Sequence, residues 1–101
     1  MNEAASTPLD TAWQLDPGVR FRRILDEAVV IHQERAETLV LNDTGVSFLE
    51  LCDGRRTVGE IAGLMARDFD TTVEQLAPDL LQFADQLHRE GIVAQAQGSS
   101  T

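Results

Sequence analysis

Residues 41 to 61, LNDTGVSFLELCDGRRTVGEI, decide the fold class of this chain. The stretch starts at the end of an apolar run and continues into a segment whose apolar residues have helical spacing. Asn42, Asp43 or Thr44 can cap the first turn of that helix, because short polar side chains satisfy free N–H groups there. Gly54 then supplies the left-handed residue that commonly ends a helix. The stretch predicts a strand end, a first helix and a glycine stop, and it contains no catalytic motif.

A second helix is predicted directly after Gly54. Thr57 and Glu60 match a capping box, in which the hydroxyl and the carboxylate each accept a hydrogen bond from a free backbone N–H at the helix start. The apolar residues that follow recur at the spacing of one helical face. They are Val58, Ile61, Ala62, Met65 and Phe69. This pattern predicts an amphipathic helix with one face in the core.

A third helix is predicted between Val73 and Glu90, and it ends at a glycine. Its apolar stripe consists of Val73, Leu76, Ala77, Leu80, Ala84 and Leu87. Gly91 followed by Ile92 fits a glycine C-cap with its hydrophobic contact. Pro78 leaves two alternatives, a kink or a short first segment followed by a new helix with Pro78 in its first turn. We favour the second, because proline is tolerated in a first turn.

Three short strands are predicted before the first helix. Val19 and Phe21 alternate with arginines. Residues 28–32 are rich in β-branched side chains, and residues 38–41 form a third apolar run. The gaps are too short for the crossover that parallel strands require, which favours an antiparallel meander. The predicted fold class is α+β, with a three-stranded antiparallel sheet followed by three helices.

The length of 101 residues fits a single domain with one modest core. We expect a flexible N-terminal segment over residues 1–14, the folded domain over residues 15–93, and a disordered tail over residues 94–101. The start lacks the basic and apolar regions of a secretory signal, and no apolar run reaches the roughly 20 residues that span a bilayer. A cytoplasmic location without membrane attachment is therefore expected.

The net charge of −9 disfavours nucleic acid as a partner, since phosphate backbones attract clustered basic side chains. His32, His88 and Cys52 are scattered in the sequence, so neither a metal site nor a cofactor is expected. Cys52 is instead expected in the core. No nucleophile stands beside a base or an oxyanion site, so no catalytic residue and no enzymatic activity are expected.

The third helix carries more apolar surface than one packing face needs. Phe83 lies on one border of its stripe and Leu81 on the other, which gives an apolar arc of roughly 160° against the ~100° that faces a core. The helix is either packed on two sides or bound by a partner. If the third strand lies at the border of the sheet, an extended peptide can add to its unpaired backbone groups. The strand edge and the helix would then form a groove.

A set of motifs between residues 17 and 93 resembles the pyrroloquinoline quinone biosynthesis protein D (PqqD) family. The motifs are PGVR at 17–20, Leu41-Asn42, Leu51-Cys52-Asp53-Gly54, Thr57-Val58-Gly59-Glu60-Ile61, and the run from Leu87 to Val93 that ends in Gly-Ile-Val. The resemblance implies a small winged-helix-like domain that binds the leader of a precursor peptide without catalysis. By position, it implies peptide-facing residues on the third strand and the third helix, namely Thr38, Leu39, Val40, Leu41, Leu80, Phe83, Ala84 and Leu87.

The chain departs from the family pattern at two points. It reads HQERAE at residues 32–37, where the family tends to have Tyr-Pro-Glu, and REGIV at residues 89–93, where the family tends to have a tryptophan after the glycine. The pathway is therefore left open between pyrroloquinoline quinone (PQQ) synthesis and another modified peptide. The implied partners are a leader peptide and a modifying enzyme, often a radical SAM protein. An exposed strand edge also permits a homodimer.

The alternative class is a winged-helix DNA-binding transcriptional regulator, since the second and third helices followed by Gly-Ile-Val also resemble a helix-turn-helix and its wing. A DNA-reading helix is expected to carry Arg or Lys near its start. Residues 68–79 instead contain no basic side chain and four acidic ones, Asp68, Asp70, Glu74 and Asp79. The sequence therefore favours a peptide over DNA.

Overall fold

The computed structural model describes residues 9–35 and 37–96. Its elements are β1 (Ala12–Leu15), β2 (Val19–Ile24), β3 (Glu27–His32), β4 (Glu37–Leu41), α1 (Asp43–Leu51), β5 (Asp53–Thr57), α2 (Val58–Asp68), α3 (Val73–Arg89) and β6 (Val93–Gln95). The three predicted strands correspond to β2, β3 and β4, and the predicted helices correspond to α1, α2 and α3. The α+β fold class is confirmed, and β1, β5 and β6 form a second sheet.

The first sheet is the predicted antiparallel meander, with the strand order β2–β3–β4. Val19 pairs with His32 across β2 and β3, and Val30 pairs with Leu39 across β3 and β4. These residues share one face of the sheet, because side chains alternate along a strand. That face is the inner one, since Val19, Val30 and Leu41 are buried. The alternation that predicted β2 therefore also orients the sheet on the core.

The second sheet, with the order β5–β1–β6, was not predicted. β1 includes residues 12–14, which had been assigned to a flexible segment, and Trp13 within it is only 1% exposed. β6 extends to Gln95, beyond the expected domain end at Val93. The expectation was wrong at these residues, because such short strands are recognisable only through pairing with distant parts of the chain. Residues 1–8 and 97–101, the rest of the two expected terminal segments, lie outside the described residues.

The first two helices begin at predicted caps. Asn42, one of three candidates, caps α1, and its side-chain oxygen accepts a hydrogen bond from the N–H of Gly45 at 2.9 Å. The capping box of α2 is confirmed. The Thr57 hydroxyl accepts from the Glu60 N–H at 3.1 Å, and the Glu60 carboxylate accepts from the Thr57 N–H at 2.9 Å. These local bonds fix where α1 leaves β4 and where α2 leaves β5.

α3 is one continuous helix over Val73–Arg89, so the predicted break at Pro78 was wrong. A proline inside a helix removes the hydrogen bond to the carbonyl four residues earlier and costs about 3 kcal/mol. That carbonyl belongs to Glu74, an exposed residue, where water can take the place of the missing donor. Leu76 and Leu80, on either side of Pro78, are buried in the core. Their burial holds the two segments in one helix.

The end of α3 is the predicted glycine C-cap. Gly91 has φ of +77°, and the N–H of Ile92 donates to the C=O of Leu87 at 2.9 Å. Ile92 is buried, as the hydrophobic contact of this cap requires. The guanidinium of Arg35 covers Gly91 so closely that a Cβ there would lie 2.8 Å from Cζ of Arg35. The cap therefore brings the β3–β4 turn against the end of α3.

One core lies between the two sheets and the three helices. Its largest fully buried side chains come from both sheets and all the helices, and they include Trp13, Val30, Phe48, Leu49, Ile61, Met65, Leu80 and Leu87. Cys52 is 5% exposed, which confirms its predicted core position. Across residues 9–35 and 37–96, no helix is both long enough and apolar enough to cross a bilayer.

Candidate functional site

The hydrogen-bond ladder of the first sheet determines which backbone groups point outward at its edges. The C=O of Gly18 accepts a hydrogen bond from the N–H of Gln33 at 2.9 Å. Successive residues of an antiparallel ladder direct their backbone groups to opposite sides. Since Gln33 bonds towards β2, Ile31 and Val29 do so as well. Val30 and Ala28 therefore bond to the other neighbour, β4.

β4 forms one edge of this sheet and presents an open row of backbone groups. Leu39 and Leu41, which pair with Val30 and Ala28, direct their backbone groups towards β3. Thr38 and Val40 consequently direct their N–H and C=O groups away from the sheet. Within the described part of the chain, no hydrogen bond from outside the sheet reaches these two residues. The edge can therefore accept a further strand.

α3 lies beside β4, and two cavities separate them. The first has a volume of about 480 Å³, and its lining includes Thr38 and Leu39 of β4 with Arg89 and Glu90 at the end of α3. The second has a volume of about 210 Å³, and its lining includes Asn42 and Gly45 at the β4–α1 junction with Leu80 and Phe83 of α3. The order of these residues shows that α3 runs antiparallel to β4. We call the β4 edge with these two cavities the groove.

The predicted helix residues divide into one that faces the groove and three that belong to the core. Leu80, Ala84 and Leu87 are at most 1% exposed. Leu80 still contributes to the lining of the smaller cavity. Phe83 is half-buried, and its ring meets that of Phe48 in an edge-on arrangement with centroids 5.7 Å apart. Of the predicted set on α3, Phe83 is thus the residue whose side chain is accessible from the groove.

The two borders of the α3 stripe are now distinguished. Phe83 contributes to the smaller cavity, and its Cζ lies 3.2 Å from the position that a Cβ on Gly45 would occupy. Gly45 thereby allows the aromatic ring to approach the start of α1. Leu81 is half-buried against the core and lines neither of the two cavities. The Phe83 border faces the groove, which the sequence left open.

The larger cavity has a charged rim that sequence analysis missed. The Arg35 guanidinium donates to the Glu90 C=O at 2.9 Å, and Arg89 pairs with Asp85 at 3.4 Å. Glu37, at the start of β4, completes this rim. Arg35 and Glu90 are 55 positions apart, and no motif or spacing links them. Only the glycine C-cap of α3 gave a hint that its end would be held against another element.

The neighbourhood of the one cysteine does not resemble a catalytic centre. Burial raises the pKa of the Cys52 thiol to about 12, and the adjacent Asp53 carboxylate adds to the effect. The thiol is therefore protonated at neutral pH, and only the thiolate is a good nucleophile. Among the described residues, no three His, Cys, Asp or Glu side chains are grouped to hold a metal ion. The groove offers hydrogen bonds and apolar contacts, which are the means of binding.

The sequence profile of one family, described as "Coenzyme PQQ synthesis protein D (PqqD)", matches residues 27–93. The chain belongs to this family. Its PqqD-family relatives include the PqqA binding protein of Xanthomonas axonopodis pv. citri (strain 306), which is 29% identical over 83% of this chain and 91% of the relative. The PqqA binding protein of Rhizobium meliloti (strain 1021) is 32% identical over 73% of this chain and 76% of the relative.

Two solved structures share the fold of this PqqD-family chain. One is the PqqD truncation of PqqCD from Methylobacterium extorquens, described as a functional and stand-alone recognition element for ribosomally synthesised and post-translationally modified peptides (RiPPs). It is 28% identical, covers 89% of this chain and 95% of its own, and gives a TM-score of 0.73. The other is TbiB1 in complex with the TbiA(β) leader peptide, with 19% identity, coverage of 79% and 93%, and a TM-score of 0.72. The resemblance noted in the sequence is confirmed.

Proposed function

We propose that this PqqD-family protein binds the leader of a ribosomally synthesised precursor peptide and presents it to a modifying enzyme. The observation that carries the proposal is the open edge of β4, where Thr38 and Val40 direct backbone groups away from the sheet beside α3. An added strand would satisfy these groups, and main-chain hydrogen bonds would supply much of its affinity. The names of the PqqA binding proteins and the description of the PqqD truncation support the same function.

The leader would be read by side-chain contacts within the groove. Side chains of an added strand alternate, so every second one would point towards α3. The cavity beside Phe83, at about 210 Å³, exceeds the ~150 Å³ of an apolar cavity known to hold benzene, so it would accept one large apolar side chain. The larger cavity, with its charged rim, would accept a polar or charged side chain. Leu39 lines the larger cavity, whereas Leu41, Ala84 and Leu87 would support the walls from the core.

In this proposal the protein supplies recognition and another protein supplies the chemistry. PQQ synthesis is the first candidate pathway, because the relatives are PqqA binding proteins. A radical SAM protein is the first candidate for the modifying enzyme, on the family resemblance. We place the encounter in the cytoplasm, where a ribosomally made precursor is released. One copy of this chain is sufficient for one leader, and turnover by the isolated protein is not expected.

The experiment that tests the proposal is titration with a panel of leader peptides. The panel contains the PqqA peptides of the two relatives' organisms, the TbiA(β) leader and the short peptides encoded beside the gene for this protein. We expect a dissociation constant in the micromolar to nanomolar range, about −8 to −12 kcal/mol, for at least one peptide. Hydrogen exchange on the complex should then show slowed exchange of the Thr38 and Val40 amides. Failure of every peptide to bind, or binding without protection of these amides, would contradict the proposal.

A further inference from the structure

The outer face of the first sheet, opposite the helices, presents apolar side chains to solvent. Ile24, Ile31 and Val40 are 54%, 44% and 60% exposed. The register places Ile31 and Val40 in two cross-strand rows, Arg20–Ile31–Thr38 and Arg22–Val29–Val40, and Ile24 pairs with Glu27 beside the second row. Large apolar residues exposed together commonly mark an interaction surface. We call the surface formed by Arg20, Arg22, Ile24, Val29, Ile31 and Val40 the outer patch.

The outer patch has the shape and charge of a docking site. A shallow cavity of about 230 Å³ lies on it, lined by Arg20, Arg22, Ile24, Val29 and Ile31 together with Phe21. The Arg20 guanidinium is held by hydrogen bonds to the C=O groups of Pro17 and Val19, both at 3.0 Å.

This face carries two arginines and one acidic residue, although the net charge of the whole chain is −9. The acidic residue is Glu27, which pairs with Ile24 at the far end of β2. Within the described part of the chain, neither Arg20 nor Arg22 takes part in an ion pair with an acidic side chain. An apolar centre beside guanidinium groups that no carboxylate of the described residues pairs with is complementary to a protein surface with an aliphatic centre and carboxylates at its rim.

We propose that the outer patch docks the modifying enzyme, through a surface of that chemistry. The inference rests on the proposed function. Val40 connects the two sites, since its side chain belongs to the outer patch and its backbone groups belong to the edge that would receive the leader. A protein seated on the patch would therefore lie beside the bound leader, where the segment to be modified emerges. The relative from Methylobacterium extorquens is a truncation of a longer PqqCD chain, so this fold does occur next to a second protein unit.

A second copy of this chain fits the outer patch less well. Two-fold pairing would place the same face on both sides of the interface. Each face brings Arg20 and Arg22 against a single Glu27, so the pairing gathers like charges at the contact. Two chains of −9 would in addition repel one another. The electrostatics therefore favour a different protein.

The absence of lysine from the sequence permits a sharp test of the contact. In the variant Arg22→Lys, the new side chain is the one ε-amine of the protein, and a carbodiimide will join it by a zero-length amide bond to a carboxylate that touches it. The variant is incubated with source-cell extract and with the precursor peptide identified in the titration panel. Mass spectrometry of the adducts then identifies the partner and the carboxylate. The unaltered chain reports the background from the α-amino group.

Three further variants control the experiment. Arg67→Lys places the amine on the exposed face of α2, away from the outer patch. Ile31→Asn, added to Arg22→Lys, places an uncharged amide in the centre of the patch and should reduce the adduct about tenfold, because an unpaired polar group in an apolar contact costs about the 1.4 kcal/mol of a tenfold change. Arg22→Glu tests the same contact without altering an apolar residue, and it should lower co-purification of the enzyme to a similar extent. All three should bind leader peptide with unchanged affinity.

The supporting result is an adduct between Lys at position 22 and a carboxylate of the modifying enzyme. The cross-linked protein is identified as that enzyme if the extract fraction that contains it changes the mass of the precursor. Equal adducts from positions 22 and 67, no adduct at all, or an adduct between two copies of this chain would each overturn the inference. Those outcomes leave the proposed function intact if the panel peptides bind. Failure of the panel peptides would count against the proposed function, whatever the adducts show.

Discussion

Val40 and Leu39 are neighbours on β4 whose backbone N–H groups point in opposite directions. Val40→Pro removes an N–H that faces the groove, while edge strands tolerate proline where the N–H faces outward. We expect leader affinity to fall about tenfold or more, since one hydrogen bond and the close fit of the added strand are lost. Calorimetric titration with the best-binding panel peptide measures the effect. Wild-type affinity in a folded Val40→Pro protein would exclude β4 as the edge that receives the leader.

Leu39→Pro is the matched control for that variant. It removes an N–H that pairs with β3, so it should lower the free energy of unfolding by more than Val40→Pro does. Urea unfolding followed by circular dichroism compares the two proteins. Equal destabilisation would show that the assignment of outward and inward amides is wrong.

Phe83 and Leu81 lie on opposite borders of the α3 stripe, and they offer a second pair of variants. Phe83→Asp places a charge in the smaller cavity and should weaken leader binding by about tenfold or more, because an unpaired carboxylate would be desolvated by the peptide. Leu81→Asp should leave leader affinity unchanged, since Leu81 lines neither cavity of the groove. Peptide titration is paired with thermal unfolding of both proteins. If Phe83→Asp bound the leader with wild-type affinity, α3 would not be part of the leader-binding site.

Asp53 gives a prediction on pH. Its carboxylate accepts hydrogen bonds from the N–H groups of Arg56 and Arg55, and these bonds lower the pKa of Asp53 from its ordinary value of 3.8. A carboxylate with a lowered folded-state pKa adds stability above its unfolded pKa, and this is lost as the pH falls through the folded value. The stability advantage of the wild type over Asp53→Asn should therefore be present at neutral pH and should decline progressively as the pH falls below 3.8. Urea titrations across this range check it, and a difference independent of pH would contradict it.

At the scale of elements, the continuous α3 helix contains Pro78 at a measurable cost. Pro78→Ala restores the N–H that can donate to the Glu74 carbonyl, so we expect the free energy of unfolding to rise by about 1 kcal/mol or more. Equilibrium unfolding in urea measures the change. Leader affinity should be unaffected, because Pro78 lines neither cavity of the groove. If the variant were no more stable than the wild type, Pro78 would not destabilise α3 as expected.

At the scale of the whole molecule, the charge distribution separates the two classes of partner. The start of α3 carries Glu74 and Asp79 and no basic residue, and the chain carries −9 in total. We expect no association with random-sequence duplex DNA, even at low salt where electrostatic binding is strongest. Fluorescence anisotropy with a labelled duplex tests this. Tight, salt-sensitive binding would favour the DNA-binding alternative over the leader-binding function.

The sequence by itself determined the elements whose signals are local. The Thr57–Glu60 capping box, the apolar stripe of α2 and the glycine at the end of α3 act within a few residues, so their patterns were sufficient. The alternation in β2, the β-branched and apolar runs of β3 and β4, and the short gaps between them were likewise sufficient to predict the meander. The family motifs then indicated the strand and the helix that form the groove.

Only the tertiary structure decided which atoms of those elements are available. The Val40 amide points outward because alternate residues of β3 bond to β2 and to β4, and the Gly18–Gln33 bond fixes which residues do which. No residue type encodes that choice. The accessible border of α3 depends on where α1 begins, since Phe83 meets Gly45 there. The second sheet depends on pairing between β1 and strands that lie some forty and eighty residues later in the chain. Contacts of this range depend on the packing of the whole core, and a local pattern cannot specify them.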